Sequence, residues 1–157
     1  IHFFISIIEI VQENQIKETL ELNKNNLTQK LNELKLKSRT ISTEKDAEEE
    51  IGKHLKLFFP NIKTQYFVGG NFGAKIDIDI NNGEYGIEIK LTSSLLSTTS
   101  EIFRLIGQVL YYKKRMYGDN LLLVLVGYQY DNNKPAIKEL FEILDSQNIN
   151  YICVELY

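Results

Sequence analysis

The sequence has few of the residues that characterise disulfide-rich or zinc-binding proteins. Its 157 residues include one cysteine, Cys153, and two histidines, His2 and His54. A lone cysteine excludes an internal disulfide framework, and so few thiols and imidazoles exclude a Cys-rich or multi-His metal site. We therefore expect a reducing, cytoplasmic compartment. Cys153 lies in the apolar run YICVELY, and we interpret it as a small core residue.

Long hydrophobic runs are also lacking. The opening stretch IHFFISIIEIVQ is strongly apolar, but Glu9 interrupts it, and it is shorter than the roughly 20 residues that cross a bilayer. It has neither the basic start nor the cleavage site of a signal peptide. We predict no membrane span and expect a helix that packs on something, with a membrane-proximal tail as the alternative. Because no methionine begins the chain, we expect a fragment of a longer protein.

An excess of positive charge is missing as well, since the formal net charge is −3. Global attraction to nucleic acid is therefore excluded, and any such binding needs a local basic patch. With 43% hydrophobic and 25% charged residues, the chain has the composition of one ordinary folded domain.

The N-terminal part has a helical pattern from about residue 4 to residue 36. Leu20, Leu27 and Leu34 recur every seven residues, with Leu31 near the same face, in an otherwise polar sequence. This stripe fits a helix that lies on the domain, and it equally fits a linker or a dimerising arm. We assign residues 1–40 to this helical arm or linker.

Residues 41–157 alternate between helical and strand patterns. Ser42 or Thr43 can cap a helix that ends before Pro60. Strand patterns follow at KTQYFVGG, AKIDIDI and EYGIEIKL, and Asn82-Gly83 predicts an antiparallel hairpin between the last two. A helix (STTSEIFRLIGQVLYYKKRMYG), an apolar strand (NLLLVLVGY), a helix (KPAIKELFEILDSQN) and a strand (NYICVELY) complete an α/β sandwich.

The hairpin turn determines which side chains meet. With two residues in the turn, Ile78 faces Ile87, Asp77 faces Glu88, and Lys90 projects from the side of this acidic pair. Opposed carboxylates raise each other's pKa unless a cation lies between them. Such pairs bind Mg²⁺, and a neighbouring lysine can polarise an attacking water. The alternative is a solvent-facing strand pair with incidental charges.

Asp77, ten further residues and then Glu88-Ile89-Lys90 resembles the catalytic signature of the PD-(D/E)xK nuclease superfamily. The order of elements from about residue 43 to the end is similar to that family's core, αβββαβαβ. The resemblance implies a restriction-endonuclease-like three-layer sandwich with a mixed central sheet, preceded here by the long N-terminal helix. It also implies a Mg²⁺ or Mn²⁺ ion on Asp77 and Glu88, with Lys90 as a catalytic residue. Ile76 replaces the family's proline, and register favours Asp77 over Asp79 as the ligand.

The first helix of the domain carries a further acidic candidate. Glu48 shares one helical stripe with Ile51 and Leu55, so it should face the sheet, whereas Glu49 should point to solvent. AEEEIGKHL is similar to the element that carries an acid in Holliday-junction-resolvase-like nucleases, which implies Glu48 as a metal ligand. The alternative is a first-turn acid that complements the helix dipole.

The helix after the hairpin carries candidates for binding a nucleic-acid strand. Gln108 and Tyr112 resemble the Gln-x-x-x-Tyr motif of RecB-type nucleases, which implies that they lie beside the site, with Gln108 in the catalytic set. Arg104 lies one turn before and could grip a phosphate. Lys113 and Lys114, in YYKKRMY, form a local basic patch or a solvated helix end.

Together these patterns predict a metal-dependent nuclease acting on DNA rather than RNA, in restriction, repair or phage defence. We expect DNA as the partner, with a homodimer or a fused upstream domain as further possibilities. The alternative is a nuclease-like fold that serves as a non-catalytic binding or assembly module of a larger protein.

Overall fold

The computed structural model describes residues 19–157, which form five α-helices and six β-strands. The helices are α1 (Lys24–Asn32), α2 (Glu44–Lys56), α3 (Thr92–Ser97), α4 (Thr99–Tyr112) and α5 (Pro135–Ser146). The strands are β1 (Lys35–Leu36), β2 (Ile62–Phe67), β3 (Lys75–Ile80), β4 (Tyr85–Leu91), β5 (Leu121–Gly127) and β6 (Asn150–Leu156). A π-helical turn, Lys113–Tyr117, extends α4. The apolar opening stretch lies outside the described residues.

The six strands form one mixed sheet in the order β1-β6-β5-β4-β3-β2. β2, β3 and β4 are antiparallel neighbours, whereas β4, β5, β6 and β1 run parallel. The predicted α/β class with a mixed sheet is confirmed. The order of elements from α2 onward is also as predicted, except that the single helix expected after β4 is divided into α3 and α4.

Helices cover both faces of this sheet. Leu31 of α1 and Ile51 of α2 pack with Ile87 in one apolar core. Val109 of α4 and Leu140 of α5 pack in a second core on the opposite face. β5 lies between these cores, and its first six residues are buried, which explains its nearly continuous apolar sequence.

The N-terminal arm is shorter as a helix than predicted. In the described part, α1 ends at Asn32, and the chain then forms β1 at the edge of the sheet rather than continuing as a helix to Leu36. Leu27 and Leu31 are buried in the domain core, with Leu20 and Leu34 packed against it. Residues 19–36 therefore pack on the domain.

The interpretation of Cys153 as a core residue is wrong, because its side chain is exposed. Ile152 and Val154 on either side of it are buried, so β6 alternates at this point. The sequence YICVELY did not show this alternation of buried and exposed residues, because cysteine is apolar whether its side chain faces the core or the solvent. Within residues 19–157, no helix has both the length and the apolar character needed to cross a bilayer.

Candidate active site

The hairpin between β3 and β4 has the predicted register. Ile78 pairs with Ile87, and Asp79 pairs with Gly86. Asn82 and Gly83 have φ angles of 53° and 95°, as a turn with two left-handed central residues requires. Asn81, with φ 62°, is left-handed too. Asparagine tolerates this conformation better than most side chains do. The pairing of β3 with β4 remains the one that a two-residue turn at Asn82-Gly83 predicts.

The two strands separate immediately beyond Ile78 and Ile87. Regular pairing covers only three residue pairs, although β3 begins at Lys75, before the first paired residue, and β4 extends to Leu91, past the last. At the opening, a carboxylate oxygen of Asp77 accepts a hydrogen bond from the Ile89 backbone N–H at 2.8 Å. A side chain thus satisfies a backbone donor of β4, and Asp77 is held at the mouth of the opening beside Glu88.

Glu88 is buried at this opening with a carboxylate oxygen that lacks a partner. The residue is 4% exposed, and its Oε2 makes no hydrogen bond among the described residues. Burial, followed by the negative charge of Asp77, raises the pKa of Glu88 to about 9. Burial also raises the pKa of Asp77, although hydrogen bonds from the Ile89 N–H and the Gln65 amide oppose this rise. The pair therefore favours a bound proton or a cation.

Glu48 of α2 joins this pair through Gln65 of β2. The Gln65 amide nitrogen lies 3.0 Å from a carboxylate oxygen of Glu48 and 3.0 Å from one of Asp77. Burial and the charge of Asp77 raise the pKa of Glu48. The predicted helix stripe is confirmed: Ile51 and Leu55 are buried, and Glu48 on the same stripe is half-buried, whereas Glu49 is exposed. Sequence reasoning missed Gln65, whose φ of 50° within a strand has no signature in the sequence.

Lys90 lies on the same side of β4 as Glu88 and is largely buried. Its ammonium is 3.2 Å from a carboxylate oxygen of Glu44, at the start of α2. Glu44 is the second site residue that sequence reasoning missed. Its signal was present, because Glu44 precedes Glu48 by four residues and therefore lies on the same face of the helix.

Asp79 lies in a different environment from Asp77. It is buried beneath Tyr117, whose hydroxyl donates to Asp79 at 2.7 Å, and the Gly83 N–H donates to the same oxygen at 2.8 Å. Asp79 thus supports the turn, whereas Asp77 lies at the strand opening.

Gln108 and Tyr112 of α4 lie in a groove beside the carboxylates. They line a cavity of about 570 Å³ together with Gln65. The Gln108 Oε1 is buried without a hydrogen-bond partner among the described residues, and the Tyr112 hydroxyl donates to the Lys75 carbonyl at 3.0 Å. Burial, and then the charges of Glu88 and Asp77, raise the pKa of Tyr112, as expected for a phenol close to the acidic pair.

Arg104 lies in a second groove. This groove has a volume of about 690 Å³, and Lys90 and Glu44 also line it. The Arg104 side chain is 67% exposed and lies 3.8 Å from Glu101. An exposed pair of this kind is weak, so the guanidinium is free to bind another anion.

The predicted basic patch is divided. Lys113 donates to the carbonyl oxygens of Gln147 and Asn148, at 3.1 and 2.7 Å, and lines a groove with neither the acidic residues of the site nor Gln108. Lys114 is exposed and lies near Tyr111, which borders the groove of Gln108. Of the two predicted lysines, Lys114 therefore lies beside the groove of Gln108, whereas Lys113 lines a different groove.

The acidic residues are of the kind that a hard divalent cation prefers as ligands. Within residues 19–157, no group of three or more His, Cys, Asp or Glu side chains is placed to hold a metal ion. Mg²⁺ needs only one or two protein carboxylates and retains several waters. Asp77 and Glu88 supply two, and the unpartnered Oε2 of Glu88 provides a buried acceptor with no competing hydrogen bond.

No family model, curated protein or solved structure matches this chain. Its function is therefore inferred from the arrangement of its own side chains. The structure places Asp77, Glu88 and Lys90 together on the hairpin, with Glu48 and Gln108 contributed by the neighbouring helices.

Proposed function

We propose that this chain is a metal-dependent nuclease that hydrolyses phosphodiester bonds of DNA. One observation carries the proposal: Asp77 and Glu88 meet where β3 and β4 separate, with Lys90 two residues along the same strand face. The resemblance of Asp77, Glu88 and Lys90 to the PD-(D/E)xK signature supports it, as does the mixed sheet between two helical layers. Restriction, repair and phage defence are the processes in which we place it.

Asp77 and Glu88 would hold a Mg²⁺ or Mn²⁺ ion, and Glu48 extends the acidic set. When bound, the cation would supply positive charge at the phosphoryl oxygens and at the attacking water. Its charge would also offset the burial and the repulsion from Asp77 that raise the pKa of Glu88, so both carboxylates would be ionised at neutral pH. The hydrogen bond from the Ile89 N–H fixes Asp77 in place before any ligand arrives.

Lys90 acts on the water and the phosphate. Its ammonium donates hydrogen bonds that orient the water and offset the negative charge that develops on the phosphoryl oxygens. During hydrolysis, the water oxygen bonds to phosphorus, the ester P–O bond breaks, and a proton passes to the leaving oxygen. The ion pair with Glu44 holds the Lys90 side chain in one position, so the side chain loses little conformational entropy when substrate binds.

Two grooves lined by residues around the carboxylates would provide a path for the DNA strand. Arg104 lies in one groove and offers a planar guanidinium to a phosphate. Gln108 and Tyr112 line the other and border the acidic pair. A strand bound in both grooves would contact Arg104 in one and Gln108 in the other.

The first prediction is that Lys90→Ala strongly reduces DNA cleavage without unfolding the protein. Removing the ammonium loses both water orientation and charge stabilisation, so we expect cleavage to fall by roughly 10²- to 10⁴-fold. The measurement is plasmid and single-stranded DNA cleavage by the purified chain with Mg²⁺, Mn²⁺ or EDTA. Lys138→Ala is the matched control, because Lys138 is exposed on α5.

Two results would contradict this proposal. Cleavage that persists in EDTA or is equal in the Lys90→Ala variant would indicate a contaminant or another mechanism. Absence of cleavage, combined with no heat of Mg²⁺ binding in calorimetry, would favour the non-catalytic binding or assembly module.

A further inference from the structure

Two aromatic side chains, Phe72 (exposed) and Tyr111 (half-buried), line the groove that contains Gln108. Phe72 is 80% exposed, and its ring centroid lies 5.3 Å from that of Tyr111 on α4. Single exposed aromatic residues are common, but these two rings border one cavity, and their planes are tilted by 49° so that they form an angled apolar surface. Burying this surface against another flat ring would be favourable.

The loop that carries Phe72 is fitted closely to α4. Gly69 and Gly70 have φ angles of 81° and 80°, a conformation that side chains rarely adopt. A side chain at Gly70 would collide with the Tyr111 hydroxyl, and one at Gly69 would crowd the Arg115 guanidinium. These glycines therefore allow the backbone to approach α4, and this approach brings Phe72 beside Tyr111.

The surroundings of the aromatic pair are basic, although the whole chain is acidic. Lys75 lines the same cavity as Phe72, and Lys114 and Arg115 line the adjoining cavity beside Tyr111. Within the described part of the chain, the charged residues that line these two cavities are all basic. Cations on both sides of a stacking surface complement a strand that carries a phosphate at every nucleotide.

The same cavity leads to an unsatisfied polar atom near the carboxylates. The Gln108 Oε1 is buried and has no hydrogen-bond partner within residues 19–157, and a buried acceptor of this kind is suited to a polar ligand or water. Gln65, which contacts both Asp77 and Glu48, also lines the cavity. A ligand stacked on Phe72 would therefore extend toward the proposed cleavage site.

We propose that Phe72 and Tyr111 stack an unpaired base of a single-stranded DNA segment, next to the phosphodiester that is cut. Bases within a duplex are already stacked on their neighbours and cannot cover these rings, so the site selects single strands or frayed ends. This inference rests on the proposed nuclease function and adds the structure of the substrate to it.

The test is equilibrium binding of fluorescently labelled DNA, measured by anisotropy in EDTA so that metal-dependent cleavage cannot occur. The probes are a short single strand, a blunt duplex and a strand of equal length made of abasic units. We expect Phe72→Ala to weaken binding of the single strand by about 5- to 150-fold and Phe72→Tyr to retain it, because base stacking needs the ring. The abasic strand should bind the wild-type chain weakly and be insensitive to Phe72→Ala.

Phe103→Ala is the matched control, since Phe103 is 67% exposed on α4 but lines neither of the two cavities beside Tyr111. Three results would overturn the inference: no binding of single strands, unchanged binding by Phe72→Ala, or an equal loss for the abasic strand. These results are distinct from failure of the nuclease proposal. Stacking without cleavage would leave this site standing, whereas Lys90-dependent cleavage that is indifferent to Phe72 would remove only this inference.

Discussion

At the scale of single residues, the site is dominated by Glu88, whose carboxyl group is buried and has one oxygen without a hydrogen-bond partner among residues 19–157. Its burial beside Asp77 explains why its pKa rises to about 9. A protein that retains such a group in a core strand gives up stability unless the charge is compensated. The proposed cation would compensate the charge of Glu88. Without metal, this charge should make the stability of the protein depend on pH.

We predict that the metal-free protein loses stability as pH rises from about 4.5 to about 9. Because the pKa of Glu88 is raised on folding, the folded state binds the proton more tightly than the unfolded state does. The contribution of Glu88 is therefore fully present below its unfolded pKa and is lost as pH rises through the folded value. The free energy of unfolding should fall by at most about 1.4 kcal/mol per pH unit over this interval.

The measurement is urea unfolding in EDTA across this pH range, with Glu88→Gln as the comparison. Glutamine cannot ionise, so the variant should have a flatter profile and should exceed the wild-type stability near pH 9. Glu142→Gln is the control, because Glu142 is exposed on α5. Identical slopes for wild type and Glu88→Gln would show that Glu88 does not carry the effect.

At the scale of elements, α2 and the β3–β4 hairpin together build the acidic cluster. α2 begins with a capping box in which the Thr43 side chain accepts from the Asp46 N–H and the Asp46 carboxylate accepts from the Thr43 N–H. This cap fixes the first turns of the helix, and those turns carry Glu44 and Glu48. The helix thus positions one partner of Lys90 and one partner of Gln65.

We predict that Thr43→Ala lowers the free energy of unfolding by about 1 kcal/mol, because the Asp46 N–H loses its side-chain acceptor. DNA cleavage should fall as well, since fraying of the first turn displaces Glu44 from Lys90. The measurements are thermal unfolding and the cleavage assay on the same preparation. Thr43→Ser, which keeps the hydroxyl, should retain both properties, and a loss in Thr43→Ser equal to that in Thr43→Ala would refute the capping explanation.

The elements also show what local sequence patterns can predict. The register of the hairpin was predictable, because a turn signal and alternating isoleucines fix the alignment of two neighbouring strands. The environment of Asp79 was not, because its partner Tyr117 comes from a distant helical turn. The same holds for Gln65, whose contacts depend on a strand residue with φ 50° and on a helix 17 residues away.

At the scale of the whole molecule, two apolar cores hold the mixed sheet between its helical layers. The described part of the N-terminal arm contributes to one of them through Leu27 and Leu31, and β1 adds a short edge strand beside β6. The arm thus helps to cover the face of the sheet opposite the Glu88 side chain.

We predict that Leu31→Ala destabilises the entire domain by about 2–5 kcal/mol, because Leu31 is fully buried and its truncation leaves a cavity. One cooperative transition, shifted to lower urea concentration, should be observed by circular dichroism. Leu110→Ala is the control, because Leu110 is 37% exposed on α4. An unchanged transition midpoint in Leu31→Ala would show that the arm is not part of the domain core.

The sequence by itself determined the α/β class, the order of elements and the hairpin register, because each depends on hydrophobic periodicity and turn residues that are close in the chain. It also predicted that Glu48 faces the sheet, from helical spacing alone. Only the tertiary structure decided that Glu44 pairs with Lys90, that Gln65 joins Glu48 to Asp77, that Cys153 is exposed and that Phe72 lies against Tyr111. Most of these features are contacts between residues that are far apart in the chain. They form only when the packing of the whole domain brings both residues together.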